Sequence, residues 1–451
     1  MEMDVILVVL MFVSFGVLLF SGFPVAFVLG GVGLLFVLVG EILNRQGIYV
    51  SADLNYLSFV VNRMYGYMSG YSLVPVPLFI FMGHMLDRSG TVQQLLRSMQ
   101  LLLGPMPGGM AIAVMVIGVL LAASTGIVGA TVVLLTTLTL PTMLKAGYDP
   151  KLAIGTICSA GGLGVLIPPS ILLVMMADQM LLSVGALFMG ALGPGLLLAG
   201  LYLVYIIVVT LISPKLAPPL PLEERMAISG IAKIILLIRT LIPPLALIFL
   251  VLGSIFFGIA SPTEAAGVGA FGAAVIAAAN GRLSFNSLRE VSIATTRTTA
   301  FVFAIILGAT CFTVVLRGLG GDDVIHDLIT GLPLGTTGTV ILILAVVFVL
   351  GFFLDFIEIV FIVLPIVFPI VRTLGVDPLW FTVMVAVCLQ TSYLTPPVGF
   401  ALFYFRSAAP PSIELGTIYR AIIPFVAIQV LCLIFVFLIP GIVTWLPSVM
   451  R

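Results

Sequence analysis

The chain has 451 residues, of which 61% are hydrophobic and only 8% are charged, and its mean hydropathy is +1.33. So few charged residues cannot cover the water-facing surface of a soluble protein of this size, and the composition therefore predicts an all-α polytopic membrane protein. The formal net charge is zero and the Lys and Arg residues are scattered singly, so nothing in the sequence indicates nucleic-acid binding.

The sequence predicts neither a metal site nor a redox site. The four cysteines lie in apolar runs without C-x-x-C spacing, which is typical of small core side chains. His84 and His326 stand far apart and outside any H-E-x-x-H pattern. His84 lies within the third apolar run, where it is either a polar packing contact or part of a polar pathway.

Three apolar runs near the roughly 20-residue length of a membrane-spanning helix open the chain, at 5–20, 23–43 and 72–86. The first run follows acidic residues and lacks the basic flank of a signal peptide, so we predict a membrane helix there. The stretch 51–69 is more polar. The helical spacing of its apolar residues favours a helix along the membrane interface over a buried loop.

The next two runs, 109–123 and 127–144, are each too short for a comfortable crossing. The polar sequence Ser124-Thr125-Gly126 separates them. This pattern predicts a re-entrant hairpin at about 109–144, with its tip inside the membrane.

A broken helix is predicted at 152–177. The run is interrupted by Gly161-Gly162-Leu163-Gly164 and then by Pro168-Pro169. Glycines lower the cost of unwinding a helix, and adjacent prolines remove two backbone donors. A crossing at 193–212 completes the first half, 1–213, and the proline-rich and charged segment 214–230 predicts a cytoplasmic linker.

The second half, 231–451, repeats the plan of the first at a constant offset, the one that separates Pro141 from Pro369. The offset aligns residues that set turns and helix ends, so duplicated backbone geometry is predicted. The aligned pairs are Pro141/Pro369, Gly147/Gly375, Asp149/Asp377, Pro150/Pro378, Leu166/Leu394, Pro168/Pro396 and Pro169/Pro397. The predicted elements are crossings at 234–258, 263–280, 298–316 and 418–439, a hairpin at about 338–372 and a broken helix at 379–406.

Each half contains five predicted crossings, because a hairpin returns to its own side and a broken helix crosses once. Five is an odd number, so we predict two inverted-topology repeats with about ten crossings, two re-entrant hairpins and two broken helices. On this path one side collects thirteen basic residues and the other side five. The positive-inside rule then places the first side in the cytoplasm and both termini outside. On this prediction the first hairpin enters from the cytoplasmic side, with an inner tip at Ser124-Thr125-Gly126, and the second enters from the outside, with an outer tip at Asp355.

Several polar motifs are explained by helix structure alone. Ser261-Pro262-Thr263-Glu264 has the pattern of a capping box with proline at the first helical position. Asp149-Pro150 and Asp377-Pro378 are typical of helix starts and do not indicate catalytic carboxylates. The stretch 320–329 predicts a turn followed by an interfacial helix.

Binding of ions and substrate is expected at the hairpin tips and the helix breaks. Unwound backbone at membrane depth survives only around a polar cavity or an ion. Two inverted copies bring two such places together, where carbonyls bind Na+ and half-helix amino ends attract a carboxylate, so two cation sites flanking one anion site are predicted. The expected oxygen ligands are Ser124, Thr125 and the carbonyls of Gly161 and Gly164 in the first half, and Asp355, Thr391, Ser392 and Thr395 in the second.

The two predicted tips differ in residue type, so the two cation sites should not be equivalent. Asp355 and Glu358 are three residues apart and share a face of a continuing helix, and carboxylates inside a membrane are functional by default. Glu358 has an alternative role as a cap of the half-helix that follows. Ser124 and Thr125 also have one, because their hydroxyls could bond back to their own helix.

Over nearly its full length the chain resembles the large membrane subunit of tripartite ATP-independent periplasmic (TRAP) transporters. The motifs are PTMLKAGYD (141–149), LGVLIPPSI (163–171), SPTEAA (261–266), LGFFLDFIEI (350–359) and LQTSYLTPPVGFALFYFR (389–406). The resemblance implies Na+-driven import of a small organic acid through the bacterial inner membrane, with both termini periplasmic and an elevator-like movement of the hairpin-bearing part against a scaffold. It also implies two partners on separate chains, a periplasmic substrate-binding protein and a small membrane subunit.

The resemblance also implies which residues line the sites, with Na+ as the coupling ion and no other cofactor. Na+ would be bound by Ser124, Thr125, Gly126, Gly161, Gly164, Asp355, Thr391, Ser392 and Thr395. The substrate would be contacted by Ser124, Pro168, Pro169, Ser170, Glu358, Pro396 and Pro397. One position departs from the family pattern, since the tip is often Ser-Gly-Ser in the family and Ile127 follows Gly126 here.

Other functions compete with this interpretation. The nearest is a self-sufficient Na+/carboxylate symporter or exchanger of the same inverted-repeat architecture, which would bind its substrate directly from solution. An intramembrane enzyme would need a nucleophile with a base, or a metal cluster, at membrane depth, and the sequence shows neither. A channel is disfavoured because broken helices in inverted pairs are typical of alternating closure. The substrate stays open among 2-oxo acids, lactate, C4-dicarboxylates and aromatic acids.

Overall fold

The computed structural model describes residues 2–126, 128–219 and 230–450. Within these ranges the regular structure is helical throughout, and no strand occurs. The first half contains α1 (Glu2–Leu19), α2 (Val25–Arg45), α3 (Leu57–Ser69), α4 (Pro75–Arg88), α5 (Thr91–Leu103), α6 (Gly109–Thr125), α7 (Val128–Lys145), α8 (Pro150–Gly162), α9 (Ile171–Gln179) and α10 (Val184–Ile212).

The second half contains α11 (Gly230–Phe256), α12 (Pro262–Ala279), α13 (Phe285–Gly318), α14 (Gly321–Thr330), α15 (Gly335–Leu350), α16 (Phe356–Thr373), α17 (Pro378–Leu394), α18 (Phe400–Ala408), α19 (Leu415–Leu438) and α20 (Gly441–Val449). Helix α16 includes a π-helical turn at Ile359–Val363. Most of the predicted linker, 220–229, lies outside the described residues.

Eight helices in the described ranges are long and apolar enough to cross a membrane: α2, α7, α10, α11, α12, α13, α16 and α19. Shorter apolar helices of 10–17 residues occur in α1, α6, α15 and α17. Many large apolar side chains on these helices are exposed, as expected for surfaces in contact with lipid. The prediction of an all-helical membrane protein is confirmed at this level.

The structure has both predicted interruptions of the helices in the first half. Helices α6 and α7 are separated at Gly126, whose left-handed φ of +59° suits a glycine at a helix end. Helices α8 and α9 are separated by a 3-10 turn, Leu163–Val165, and an irregular segment at 166–170. The prediction that unwinding begins at Gly161 was wrong, because α8 continues through Gly162.

The predicted helix starts are confirmed by their hydrogen bonds. The Asp149 carboxylate accepts from the backbone amides of the first turn of α8, and Asp377 does the same for α17. Ser261 and Glu264 form the reciprocal hydrogen bonds of a capping box at the start of α12. The motifs explained by helix structure therefore need no further function.

Several helices differ from prediction in extent. Helix α13 begins at Phe285, whereas a start at 298 was predicted, so Arg289 and Arg297 lie within a helix and not in a loop. Helix α10 begins at Val184 instead of 193. Helices α5 and α20 were not predicted. The stretch 51–69 does contain a helix, α3, of which only Val60 is buried, so the alternative of a buried loop was wrong.

Helix bounds in the two halves match at the offset found in the sequence. Both the start and the end of α7 correspond to those of α16 at this offset, and the start of α8 corresponds to that of α17. The contacts between halves come in reciprocal pairs: when a helix of the first half packs on a helix of the second, the corresponding helices pack on each other with the halves exchanged. The pairs of contacts are α2–α13 with α12–α4, α1–α14 with α11–α5, α7–α18 with α16–α9, and α8–α19 with α17–α10.

The two interrupted helices lie at the centre of the molecule. Most residues of α8 and α17 are buried on all sides. Helices α6 and α7 pack closely on α8, because a Cβ atom added at Gly118 would lie 2.5 Å from the Ala160 Cβ, and one added at Gly161 would lie 2.4 Å from Val132. Each hairpin therefore packs against the interrupted helix of its own half.

Candidate functional site

The tip of the first hairpin rests on the break of the neighbouring helix. A Cβ atom added at Gly126 would lie 3.1 Å from the Ile171 amide nitrogen and 3.5 Å from the Ser170 Cα, so only glycine allows this approach. Ser170 donates a hydrogen bond from its hydroxyl to the Val165 carbonyl at 2.8 Å, which closes the loop around Pro168 and Pro169. The structure thus brings predicted residues of the tip and of the first break into contact.

The predicted ligands beside this tip are only partly described. Ser124 and Thr125 form the last turn of α6, and their side chains lie outside the described residues, as does Ile127. Gly161 is in the last turn of α8, and Gly164 is in the 3-10 turn that follows.

The tip of the second hairpin rests on the break of α17. The Asp355 carboxylate oxygen Oδ1 accepts hydrogen bonds from the Tyr393 hydroxyl at 2.7 Å and from the Phe356 amide at 2.8 Å. A Cβ atom added at Gly351 would lie 2.2 Å from the Ser392 hydroxyl oxygen. The tip and the end of α17 are therefore in direct polar contact.

The hydroxyls of α17 are bonded to their own helix. Thr391, Ser392 and Thr395 donate to the carbonyls of Val387, Leu389 and Thr391 at 2.9, 2.8 and 2.7 Å. This is the alternative role expected of such hydroxyls inside a membrane. A hydroxyl that donates its hydrogen keeps its oxygen lone pairs, so each of the three can still contact a cation.

The two breaks meet near the centre of the molecule. A Cβ atom added at Gly162 would lie 2.9 Å from the Gln390 side-chain nitrogen, so the Gln390 side chain lies across the last turn of α8. The Gln390 carbonyl also accepts from the Gln429 side chain at 3.2 Å. Gly162 and Gln390 are equivalent positions at the constant offset between the halves, so the contact joins corresponding points of the two halves.

Tyr404 in α18 connects the two hairpins. Its ring packs against α7 at Gly129, where an added Cβ atom would lie 2.8 Å from the ring carbon Cζ. The same side chain is within electrostatic range of Asp355 and Glu358. At the second break, the Tyr419 hydroxyl donates a hydrogen bond of 2.7 Å to the carbonyl of Pro397, the second residue of the Pro396-Pro397 pair.

Glu358 is 2% exposed, whereas Asp355 is only half-buried. The Glu358 carboxylate lies near the backbone amides of Asp355 and of Glu358 itself, which agrees with the capping alternative for one of its oxygens. Its other oxygen, Oε2, has no hydrogen-bond partner among the described residues.

Tyr393, Tyr404 and Gln390 were not predicted as part of this site. Tyr393 carried a usable signal, because a tyrosine buried in a membrane run needs a partner for its hydroxyl, and Asp355 was the predicted polar residue of the same half. His84, the other unassigned residue, lines a small cavity of about 20 Å³ together with Asp87 and Thr131.

Comparisons with known proteins relate the chain to transporters. The sequence model of one family, described as "Tripartite ATP-independent periplasmic transporter, DctM component", matches residues 12–442. C4-dicarboxylate TRAP transporter large permease proteins DctM from Pseudomonas aeruginosa and Vibrio cholerae are each 30% identical to the chain. The first alignment covers 84% of this chain and 86% of the relative, and the second covers 98% of both.

Among solved structures, the Alcanivorax borkumensis YdaH transporter is similar with a TM-score of 0.59 and 16% sequence identity. The alignment covers 86% of this chain and 90% of that chain. At this identity the likeness shows a shared fold alone.

Proposed function

The chain belongs to the family of DctM components of tripartite ATP-independent periplasmic transporters, and from that premise we propose that it is the permease of a Na+-coupled secondary transporter importing a small organic acid. The observation that carries the proposal is the family match over residues 12–442. Relatives are named as C4-dicarboxylate permeases, so a C4-dicarboxylate is the first substrate to test. The substrate-binding protein of the periplasm and the small membrane subunit are its proposed partners.

The proposed architecture is a pair of inverted repeats, 1–213 and 231–451, joined by a cytoplasmic linker at 214–230. Its support is the reciprocal packing of the halves, because a two-fold axis exchanges each contact with its counterpart. The predicted odd number of crossings in each half would place that axis in the membrane plane. The chain would then sit in the bacterial inner membrane with both termini in the periplasm and move its hairpins as an elevator.

Two inequivalent Na+ sites are proposed at the contacts between tips and breaks. Carbonyl, hydroxyl and carboxylate oxygens are the ligands that such sites need. The support is the contact of Asp355 with the end of α17 at the second tip and the contact of Gly126 with Ser170 and Ile171 at the first. The proposed first site contains Ser124, Thr125, Gly126, Gly161 and Gly164. The proposed second site contains Asp355, Thr391, Ser392 and Thr395.

The substrate is proposed to bind between the two Na+ sites. The amino ends of α9 and α18 follow the Pro-Pro segments, and the partial positive charge of a helix amino end attracts a carboxylate. The contact of Gln390 with Gly162 joins the two breaks, and Tyr404 lies between the two hairpins, which supports a single shared site. The proposed contacts are Ser124, Pro168, Pro169, Ser170, Pro396 and Pro397.

The proposal is tested by uptake into vesicles that contain this chain and the small membrane subunit. The proposed substrate-binding protein is first screened for binding of succinate, pyruvate, lactate and benzoate, and the acid that binds is used as the labelled probe. We expect uptake only when the soluble protein and an inward Na+ gradient are both present. Choline chloride replaces NaCl in the control.

The same experiment distinguishes the nearest rival. A self-sufficient symporter would take up the probe at micromolar concentration with this chain alone. That result would remove the partner proteins from the mechanism, and uptake that ignores the Na+ gradient would remove Na+ coupling.

A further inference from the structure

Two carboxylates share the first turn of a half-helix at the outer tip. Asp355 is the N-cap of α16, and Glu358 follows three residues later on the same face. Glu358 is almost completely buried, and the apolar side chains of Ile357 and Ile359 beside it are buried as well. The turn therefore places two acidic groups together in a site with little water.

The described residues supply too little positive charge for this pair. A helix amino end contributes roughly half a positive charge, against two negative charges on the ionised carboxylates. The ion pairs formed by described residues are Arg45–Glu41, Arg88–Glu290, Arg317–Asp322 and His326–Asp327, and none includes Asp355 or Glu358. A buried carboxylate without a partner either takes up a proton or binds a cation.

The free oxygens of the pair suit a cation. Oδ1 of Asp355 already accepts from Tyr393 and from the Phe356 amide, which holds this carboxylate in one orientation. Oε2 of Glu358 has no hydrogen-bond partner among the described residues, although its side chain is buried. The half-buried Asp355 forms the side of the pair through which an ion can arrive.

We propose that Glu358 is a direct ligand of the cation held at the outer tip, through Oε2 and together with Asp355. A contact between Glu358 and the substrate, which the sequence suggested, would place two like charges together, because the substrate is itself an acid. The identity of the cation as Na+ rests on the proposed function. The need for a cation at this pair rests on the charges and the burial.

Thermal unfolding of the purified protein in detergent tests the proposal, with choline chloride and NaCl at equal ionic strength. In choline chloride we expect Glu358→Gln to unfold at a higher temperature than the unmodified protein, because the substitution removes a buried charge. In NaCl we expect the order to reverse, because the bound ion stabilises only the carboxylate. The Na+ concentration at half-saturation should rise roughly tenfold or more in the variant.

Glu264→Gln is the matched control. Glu264 also sits at the third position of a helix that starts with a capping residue, but its side chain is exposed. This variant should lower the unfolding temperature equally in both salts. If Glu358→Gln does not fold, radioactive Na+ binding to Glu358→Asp replaces it, and we expect weaker binding because the carboxylate is withdrawn by one methylene group.

Three results would overturn the proposal. If Na+ stabilises Glu358→Gln and the unmodified protein at the same concentration, Glu358 is a neutral acid or a cap, and Na+ coupling still stands. Unchanged Na+ affinity in Glu358→Asp would likewise show that Glu358 does not bind the cation, and Na+ coupling would still stand. If NaCl fails to stabilise the unmodified protein over choline chloride, both the ligand role of Glu358 and the proposed coupling ion fall.

Discussion

The Tyr393 hydroxyl fixes the carboxylate of Asp355 across the gap between the outer tip and the end of α17. Hydrogen bonds of this kind orient the ligands of an ion, and their loss weakens binding even though they do not touch the ion. The contact also joins two segments that must separate if the tip opens. If Asp355 binds the proposed Na+, one hydroxyl connects ion affinity with the position of the hairpin.

Tyr393→Phe should weaken Na+ binding roughly 10- to 100-fold, because it removes the donor that orients Asp355. The measurement is the Na+ dependence of thermal stability in detergent. Tyr205→Phe is the control, since the described part of the chain shows no hydrogen bond from that hydroxyl. Equal Na+ affinity in the two variants would show that Tyr393 only fills space.

At the inner tip, Ser124→Ala with Thr125→Ala should abolish Na+-dependent uptake while the protein remains folded. The double variant removes the two hydroxyls that precede Gly126 at the end of α6, and these hydroxyls are proposed ligands of the first Na+ site. Uptake at a series of Na+ concentrations is the measurement, with thermal unfolding to check folding. Unchanged Na+ dependence would remove the first ion site.

Asp355 and the Pro-Pro segments could be identified from the sequence because each breaks a local rule, as a charge or a helix breaker inside an apolar run. Tyr393, Tyr404 and Gln390 follow every local rule for a buried helix. Their importance arises only when the tip of one segment meets the break of another. No pattern along the chain specifies such a meeting.

Among the elements, the first hairpin depends on close packing against α8. Gly118→Ala should lower the stability by about 1–3 kcal/mol, because its Cβ would lie 2.9 Å from the Ala160 carbonyl oxygen, on a backbone that cannot give way. Gly200→Ala in α10 is the control. It meets nothing within 4 Å, so it should be neutral or stabilise the helix by up to about 1 kcal/mol. Thermal unfolding in detergent measures both, and equal values would contradict the close packing.

Helices that cross the membrane were predicted well, whereas α5, α20 and the start of α13 were not. Long apolar runs are specified by the bilayer itself, so composition alone identifies them. Helix α5 is short and half polar, and the only signal was the helical spacing of Val92, Leu95, Leu96 and Met99. The first turns of α13 are polar and contain no breaker, so hydropathy places the start of the helix too late.

For the whole molecule, we assign α9, which belongs to an interrupted helix, to the moving part of the proposed elevator and the exposed helix α3 to its scaffold, so the movement requires α9 to slide past α3. The Gln179 side chain donates to the Tyr67 hydroxyl at 3.1 Å, which places the two helices in contact. A Tyr67→Cys, Gln179→Cys pair joined by a short crosslinker should therefore arrest uptake.

The control for this experiment is a Ser98→Cys, Thr240→Cys pair. It joins α5 and α11, which we also assign to the scaffold, across a hydrogen bond of 3.2 Å. Uptake should survive this crosslink, and the native cysteines do not interfere because all four are buried. Normal uptake in the first crosslinked pair would contradict the sliding movement.

At the offset between the halves, the single helix α13 corresponds to the two helices α3 and α4 of the first half. Its 34 residues span about 51 Å, which exceeds the roughly 40–45 Å of a bilayer with its headgroups. Most residues of its first turns, 285–300, are exposed. Helix α13 is therefore long enough to extend beyond the lipid, and its exposed first turns are a place to raise an antibody fragment as a fiducial for single-particle imaging without touching either hairpin.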